Sequence, residues 1–284
     1  MTRQRAARVL AATAALAALL AHAATAQPTP GTQIDGTAPR YVAIPGASFR
    51  TALPPDGKDA PATVAAFRMR VLPVTNGEFL AFVRQHPQWQ RGHVPALFAD
   101  QGYLSQWATP LSLGSAALPD QPVTQVSWFA ARAYCASEGA RLPTWYEWEL
   151  VAAAGDDQRR DARADPAWRE QLLEWYSKPT GTLPVVQGGP LNAYGVADMH
   201  AAVWEWVDDF ASILVSTDNR DQGDPDRLKF CGAAALTMQD RDNYAILMRL
   251  AMLSSLKASY TTANLGFRCV RDDAGSTSPP GARP

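Results

Sequence analysis

Pro122-Val-Thr-Gln-Val-Ser-Trp-Phe-Ala-Ala-Arg-Ala-Tyr-Cys135, running on to Arg141-Leu-Pro-Thr-Trp-Tyr-Glu-Trp148, is the stretch that decides the fold. Ser127 sets up a helix reaching about Gly139, because a serine hydroxyl can accept an otherwise orphaned N–H in the first turn. Thr144-Trp-Tyr-Glu147 has the spacing of a capping box, in which the hydroxyl takes one N–H and the glutamate reaches back to another. Two further blocks complete the frame. One is Asn192-Ala-Tyr-Gly-Val-Ala-Asp-Met-His200 followed by Val203-Trp-Glu-Trp206, and the other is Asn264-Leu-Gly-Phe-Arg-Cys269.

Working outward, Tyr41 to Arg50 reads as a strand broken at Pro45-Gly46, and Thr63 to Leu72 as a second strand. Thr75 or Asn76 caps a helix through Val83, with Phe79, Leu80, Phe82 and Val83 at helical spacing. Residues 84–121, rich in Gln, Pro, Gly and Trp, read as a long ordered surface excursion. Asp157 to Asp165 reads as charged and solvated. Asp165-Pro166 then looks like an N-cap and first-turn proline, opening a helix with Trp168, Leu172 and Trp175 on one face. Beyond Pro184 the pattern is mostly short strands and loops.

The ends read differently. Arg3, Arg5 and Arg8 precede an apolar run from Val9 to Leu20 and a small-residue cleavage site at Ala24-Thr-Ala26. That is a secretory signal peptide over 1–26, and its apolar run is too short to span a bilayer. Residues 27–39 form a polar linker, 40–272 the folded domain, and 273–284 a Ser, Gly and Pro-rich tail expected to be disordered. The whole chain carries formal charge −1. Signal cleavage removes arginines and no acids, so the mature protein is more acidic still. That argues against a generic nucleic-acid or anionic-membrane binder. Export to an oxidising compartment, periplasmic or secreted, allows one disulfide among Cys135, Cys231 and Cys269. Counting alone leaves the pair open.

Taken in order, the three blocks, together with Pro73-Val-Thr-Asn76, closely resemble the formylglycine-generating enzyme, or sulfatase-modifying factor, family. The resemblance implies a mixed α/β (α+β) fold with little regular secondary structure, related to C-type lectin domains. It implies a disulfide between Cys135 and Cys269. It also implies a Ca²⁺ site formed by the Asp198 side chain, the Ala201 and Val203 carbonyls and the Glu205 carboxylate, a hard oxygen set suited to that ion. Ala201 stands where the family has glycine. A second family Ca²⁺ site would fall near residues 155–180, where its ligand pattern is replaced by the charged helix.

The reactive centre of the family is missing. Its enzymes carry a cysteine pair where this chain reads Leu236-Thr-Met-Gln-Asp-Arg-Asp-Asn-Tyr-Ala245, and no cysteine lies between Gly232 and Gly266. Soft thiolates select Cu(I), and only a thiolate exchanges with substrate thiol, so the sequence argues against copper and against formylglycine generation. Leu253 replaces a family arginine. The three-histidine iron site of the ergothioneine-forming branch would need His86, His93 and His200 to converge. The tail from Met248 to Cys269 is similar to an exported branch encoded beside copper nitrite reductases.

These readings imply an exported accessory, maturation or binding protein for a periplasmic enzyme, with a protein or peptide as its partner. The alternative is an oxygen-dependent oxidoreductase of altered chemistry acting on a peptide or small molecule. Arg249 is a groove candidate, able to anchor a carboxylate or backbone carbonyls. Cys231 is a second, readable as a redox or copper-binding thiol or as a small buried core residue.

Overall fold

The computed structural model describes residues 40–55, 60–155, 160–177, 182–186, 189–200, 202–212 and 244–273, all within one compact unit, Thr32–Pro284. The signal peptide, the linker, Ala201, Cys231, most of Leu236–Ala245 and the tail beyond residue 273 lie outside the described residues. The architecture is mixed α/β with modest regular secondary structure. Among the described residues no helix is long and apolar enough to cross a membrane.

Strand β1 (Tyr41–Ile44) ends at Pro45-Gly46 and β2 (Ala47–Phe49) begins directly after it. Gly46 is dictated by space, since a Cβ there would lie 2.9 Å from the Val64 carbonyl oxygen. The stretch expected as one strand from Thr63 is two, β3 (Ala62–Val64) and β4 (Phe67–Arg70). Ala65-Ala66 separate them, so that β3 pairs with β2 while β4 crosses to pair with β1. Strand β7 (Val270–Asp272) joins the other side of β4, giving an antiparallel sheet in the order β1-β4-β7. A short parallel pair, β5 (Trp204–Glu205) with β6 (Leu265–Gly266), brings the second and third sequence blocks side by side.

The helices start where their caps dictate. Thr75 and Glu78 form a capping box at α1 (Asn76–Gln85), Ser127 accepts from the Ala130 N–H at α2 (Trp128–Ser137), and Thr144 with Glu147 boxes α3 (Trp145–Ala152). Asp165 accepts from the Ala167 N–H at the start of α4 (Pro166–Ser177). Phe79 of α1, Tyr134 of α2 and Phe267 of the C-terminal block pack ring against ring, with centroids 5.4–6.1 Å apart.

Three readings are corrected. Residues 84–121 are not a surface excursion alone. Ala99, Tyr103, Leu104, Trp107 and Ala117 are buried, and Trp107 donates its indole N–H to Asn76 at 3.1 Å. The charged run before α4 is not simply solvated. Arg163 is buried, because it pairs with Asp161 at 2.8 Å and reaches the fully buried Glu149 at 3.4 Å. Beyond Pro184 a helix, α5 (Tyr244–Ser254), stands where strands and loops were expected.

A polar cluster ties β1 and β4 to the end of α2. The Glu138 carboxylate accepts from the Tyr41 hydroxyl at 2.7 Å, the Tyr134 hydroxyl at 2.8 Å and Arg70 at 3.0 Å. Arg40 reaches it at 2.7 Å, and Glu78 shares both arginines. Burial alone would raise this carboxyl, but Arg70, the two hydroxyls and Arg40 outweigh it and hold Glu138 below the usual carboxylate range. A depressed folded-state pKa contributes stability above the unfolded-state pKa, which is lost as pH falls through the folded one. Glu138→Gln is therefore expected to lower the melting temperature at neutral pH by about 2–4 °C, roughly 1 kcal/mol for a domain of this size. Its deficit should shrink as pH is lowered below the carboxylate range. Parallel melting curves against pH that never converge would refute this role.

Candidate functional site

The centre of the molecule is built on two isolated charges, each set in an apolar run. Glu205, between Trp204 and Trp206, is fully buried, and so is Arg268, between Phe267 and Cys269. Arg268 Nε lies 2.9 Å from both Glu205 oxygens and Nη2 lies 2.8 Å from Oε1. The indole N–H of Trp148 donates to Oε2 at 2.9 Å. The remaining guanidinium donors are spent on backbone carbonyls. Nη1 reaches Arg70 and Val71, and Nη2 reaches Ala197 and Asp198, at 3.0–3.3 Å. One side chain thus joins the end of β4, the 197–198 turn and β5, which suits the planar, five-donor guanidinium.

The register follows from close backbone approach. A Cβ on Gly266 would lie 2.6 Å from the Val123 carbonyl oxygen, so the Gly-Phe-Arg-Cys block can sit here only with glycine at that position. Val74 donates to the Phe267 carbonyl and Arg70 to the Cys269 carbonyl, both at 3.0 Å. Cys269 is disulfide-bonded to Cys135 of α2, and both are fully buried.

Arg249 does not line an open groove. It is 1% exposed, donates to the Glu205 carbonyl and lies flat on Trp148, 3.5 Å from the ring centroid. It supports the same centre from α5. The three histidines stay apart in role. His86 ends α1, with Nδ1 2.9 Å from the Phe82 carbonyl; His93 is exposed, with Nδ1 3.1 Å from the Pro87 carbonyl. His200 sits edge-on between Trp148 and Trp168, and its Nε2 donates to the Ala152 carbonyl at 2.8 Å. Burial pushes its pKa down to about 4, which the Ala152 bond opposes and Arg249 and Arg268 reinforce, so the ring is neutral at physiological pH. Among the described residues no three His, Cys, Asp or Glu side chains converge in a way that could hold a metal.

Of the residues expected to hold Ca²⁺, Ala201 lies outside the described residues, and Glu205 as arranged is not free to take that ion. Glu205 already accepts from Arg268 and Trp148, and Ca²⁺ would meet a guanidinium at its own ligand. The Asp198 carbonyl also accepts from Arg268. Asp198 adopts a left-handed backbone, φ 57°. Burial raises its carboxyl, with Arg268 opposing and Glu205 adding. The counterion of Glu205 escapes a reading by blocks because Arg268 lies 63 residues away. The available signal is that each is a lone charge, of opposite sign, in an apolar run.

A family model described as "Sulfatase-modifying factor enzyme 1-like domain" matches residues 26–273. A Bos taurus protein described as "Inactive C-alpha-formylglycine-generating enzyme 2" is 28% identical over 290 residues, covering 87% of this chain and 92% of its own. A "Formylglycine-generating enzyme" of Thermomonospora curvata is 30% identical over 285 residues, covering 81% of this chain and 93% of its own. Among solved structures, that of CarF is 18% identical and aligns over 82% of this chain and 98% of that one, with TM-score 0.46.

Proposed function

The chain belongs to the sulfatase-modifying factor family, and from that premise we propose that it is an exported member without formylglycine-generating activity, serving as an accessory, maturation or binding protein for a periplasmic enzyme. The observation that carries this is its sulfur count. The chain has three cysteines, and Cys135 and Cys269 are bonded to each other. Only Cys231 is left, and one thiol cannot supply both the dithiolate that holds Cu(I) and the exchange with a substrate cysteine. A relative aligned over nearly its whole length carries the description inactive, which accords with a scaffold kept without its chemistry. The buried disulfide favours an oxidising compartment, as the signal peptide does. The similarity of the Met248–Cys269 tail to the exported branch makes a copper nitrite reductase the partner to test first.

The test is metal content together with turnover. Protein purified from its native compartment is expected to hold copper and iron well below one per chain and to consume no oxygen with thiol or catechol substrates. It is also expected to bind the partner enzyme. Stoichiometric copper or iron with oxygen uptake would overturn the accessory reading in favour of an oxidase.

A further inference from the structure

Beside the Glu205–Arg268 centre lies a part-enclosed pocket of about 80 Å³, walled by Trp168 and Trp175 of α4, Gln171, Asp198, Met199 and His200. The helix supplies an aromatic pair that its own burial does not require. Leu172 between the tryptophans is 3% exposed and faces the core, whereas Trp168 and Trp175 are only half-buried and line the pocket. On the facing wall the polar groups are accounted for. Asn192 donates to the Val151 carbonyl at 2.9 Å and accepts from Tyr194 and Val196 at 3.0 and 3.1 Å. His200 is neutral and donates to Ala152.

Asp198 is the exception. Its carbonyl is held by Arg268, but among the described residues its carboxylate accepts no hydrogen bond. Arg268 spends its donors on Glu205 and four carbonyls. The position is built rather than accidental, because Gly189 backs the carboxylate and a Cβ there would lie 2.6 Å from Oδ1. The pocket therefore presents the Asp198 carboxylate in a lining that also holds two indole rings, a thioether and a neutral imidazole. An anion would be repelled. A neutral apolar group would leave the carboxylate without a partner. Among the lining side chains Ca²⁺ would find one carboxylate and the amides of Gln171 and Asn192, where it takes six to eight oxygens.

We infer that this pocket binds an alkylammonium group, with Asp198 as counterion and the Trp168 and Trp175 rings packed on its alkyl surface. Tryptophan faces attract such cations, and more strongly when water is excluded. The group can come from a free quaternary ammonium compound or from the lysyl side chain of a peptide. This assignment does not depend on the accessory role, since it concerns only the pocket's chemistry.

The experiment titrates choline, N-acetyl-lysine methylamide and the neutral choline isostere 3,3-dimethylbutanol into the full mature protein. Heat and tryptophan fluorescence are followed together. At least one cation is expected to bind one per chain, with the isostere weaker by about tenfold or more. Tighter binding of choline identifies a small-molecule source, and tighter binding of the lysine derivative a peptide. Asp198→Asn should lose about tenfold in affinity with the fold intact, because asparagine tolerates the left-handed backbone. Trp175→Leu, on the half-exposed face of α4, should lose a comparable factor and covers the case in which the first variant misfolds. The inference is overturned if neither cation binds, if the isostere binds equally well, if neither variant weakens binding, or if the wild-type site takes Ca²⁺ alone.

Discussion

Arg268→Met is expected to destabilise the domain by about 3–5 kcal/mol, the cost of leaving a buried charge without its partner. Glu205 is fully buried, and without Arg268 its carboxylate keeps, among the described residues, the Trp148 N–H, a neutral donor. Glu205→Gln should cost less. The amide oxygen can still accept from Trp148, and Arg268 retains its contacts to the Arg70, Val71, Ala197 and Asp198 carbonyls. The double variant Arg268→Met/Glu205→Leu decides what the pair is for. Replacing both ions of a buried pair by apolar groups is often neutral. Here it should still fall well below wild type, because the Arg70, Ala197 and Asp198 carbonyls lose the Arg268 donor at roughly 1 kcal/mol each, whereas the Val71 carbonyl keeps the Ala197 N–H. Denaturant melts of the three variants measure this. A double variant as stable as wild type would show that Arg268 acts only as the counterion of Glu205. An Arg268→Met variant within about 1 kcal/mol of wild type would remove the pair from the stability of the fold altogether.

The parts of the fold legible in the sequence are those written in short-range chemistry. Thr75, Ser127 and Thr144 each cap the helix that their hydroxyl position announces, and Pro45-Gly46 breaks the first strand where it must. Helix α5 is illegible for a physical reason. Ala245 to Leu253 is apolar almost throughout, with Arg249 in its middle, so it shows neither the polar face of an amphipathic helix nor the alternation of a strand. Arg249 is tolerated there because its charge lies on Trp148 and donates to the Glu205 carbonyl, contacts that only the tertiary fold supplies. Residues 99–117 mislead in the opposite way. Their Gly, Pro and Gln content signals a loop, which they are, but Trp107 and Leu104 turn inward as packing units. The site was half legible. The Trp-Glu-Trp and Gly-Phe-Arg-Cys strings mark where it lies. That their two charges neutralise one another, and so withdraw Glu205 from a Ca²⁺ ligand set, depends on the parallel pairing of β5 with β6, a contact between distant segments that local pattern does not encode.

Removing the Cys135–Cys269 bond is the second large effect. The cross-link joins residues 134 apart in sequence, and chain-entropy bookkeeping for a loop that long gives about 4–5 kcal/mol, with native strain able to reduce it. It ties α2 to the residue just ahead of β7. Its loss therefore frees the strand that completes the β1-β4-β7 sheet and the block that carries Arg268. The informative variant is the double Cys135→Ala/Cys269→Ala. Alanine leaves no buried hydroxyl to satisfy, and a single replacement would leave a thiol free to pair with Cys231 in an oxidising compartment. The double variant is expected to melt far below wild type. Its remaining stability should no longer depend on reductant, whereas wild type should lose stability when reduced. Non-reducing peptide mapping of the wild-type protein should find one linkage, Cys135 to Cys269, and one free thiol in the peptide containing Cys231. A linkage of Cys231 to either partner would overturn the pairing. A double variant as stable as the oxidised wild type would show that the packing of Phe79, Tyr134 and Phe267 holds the C-terminal block without the bond.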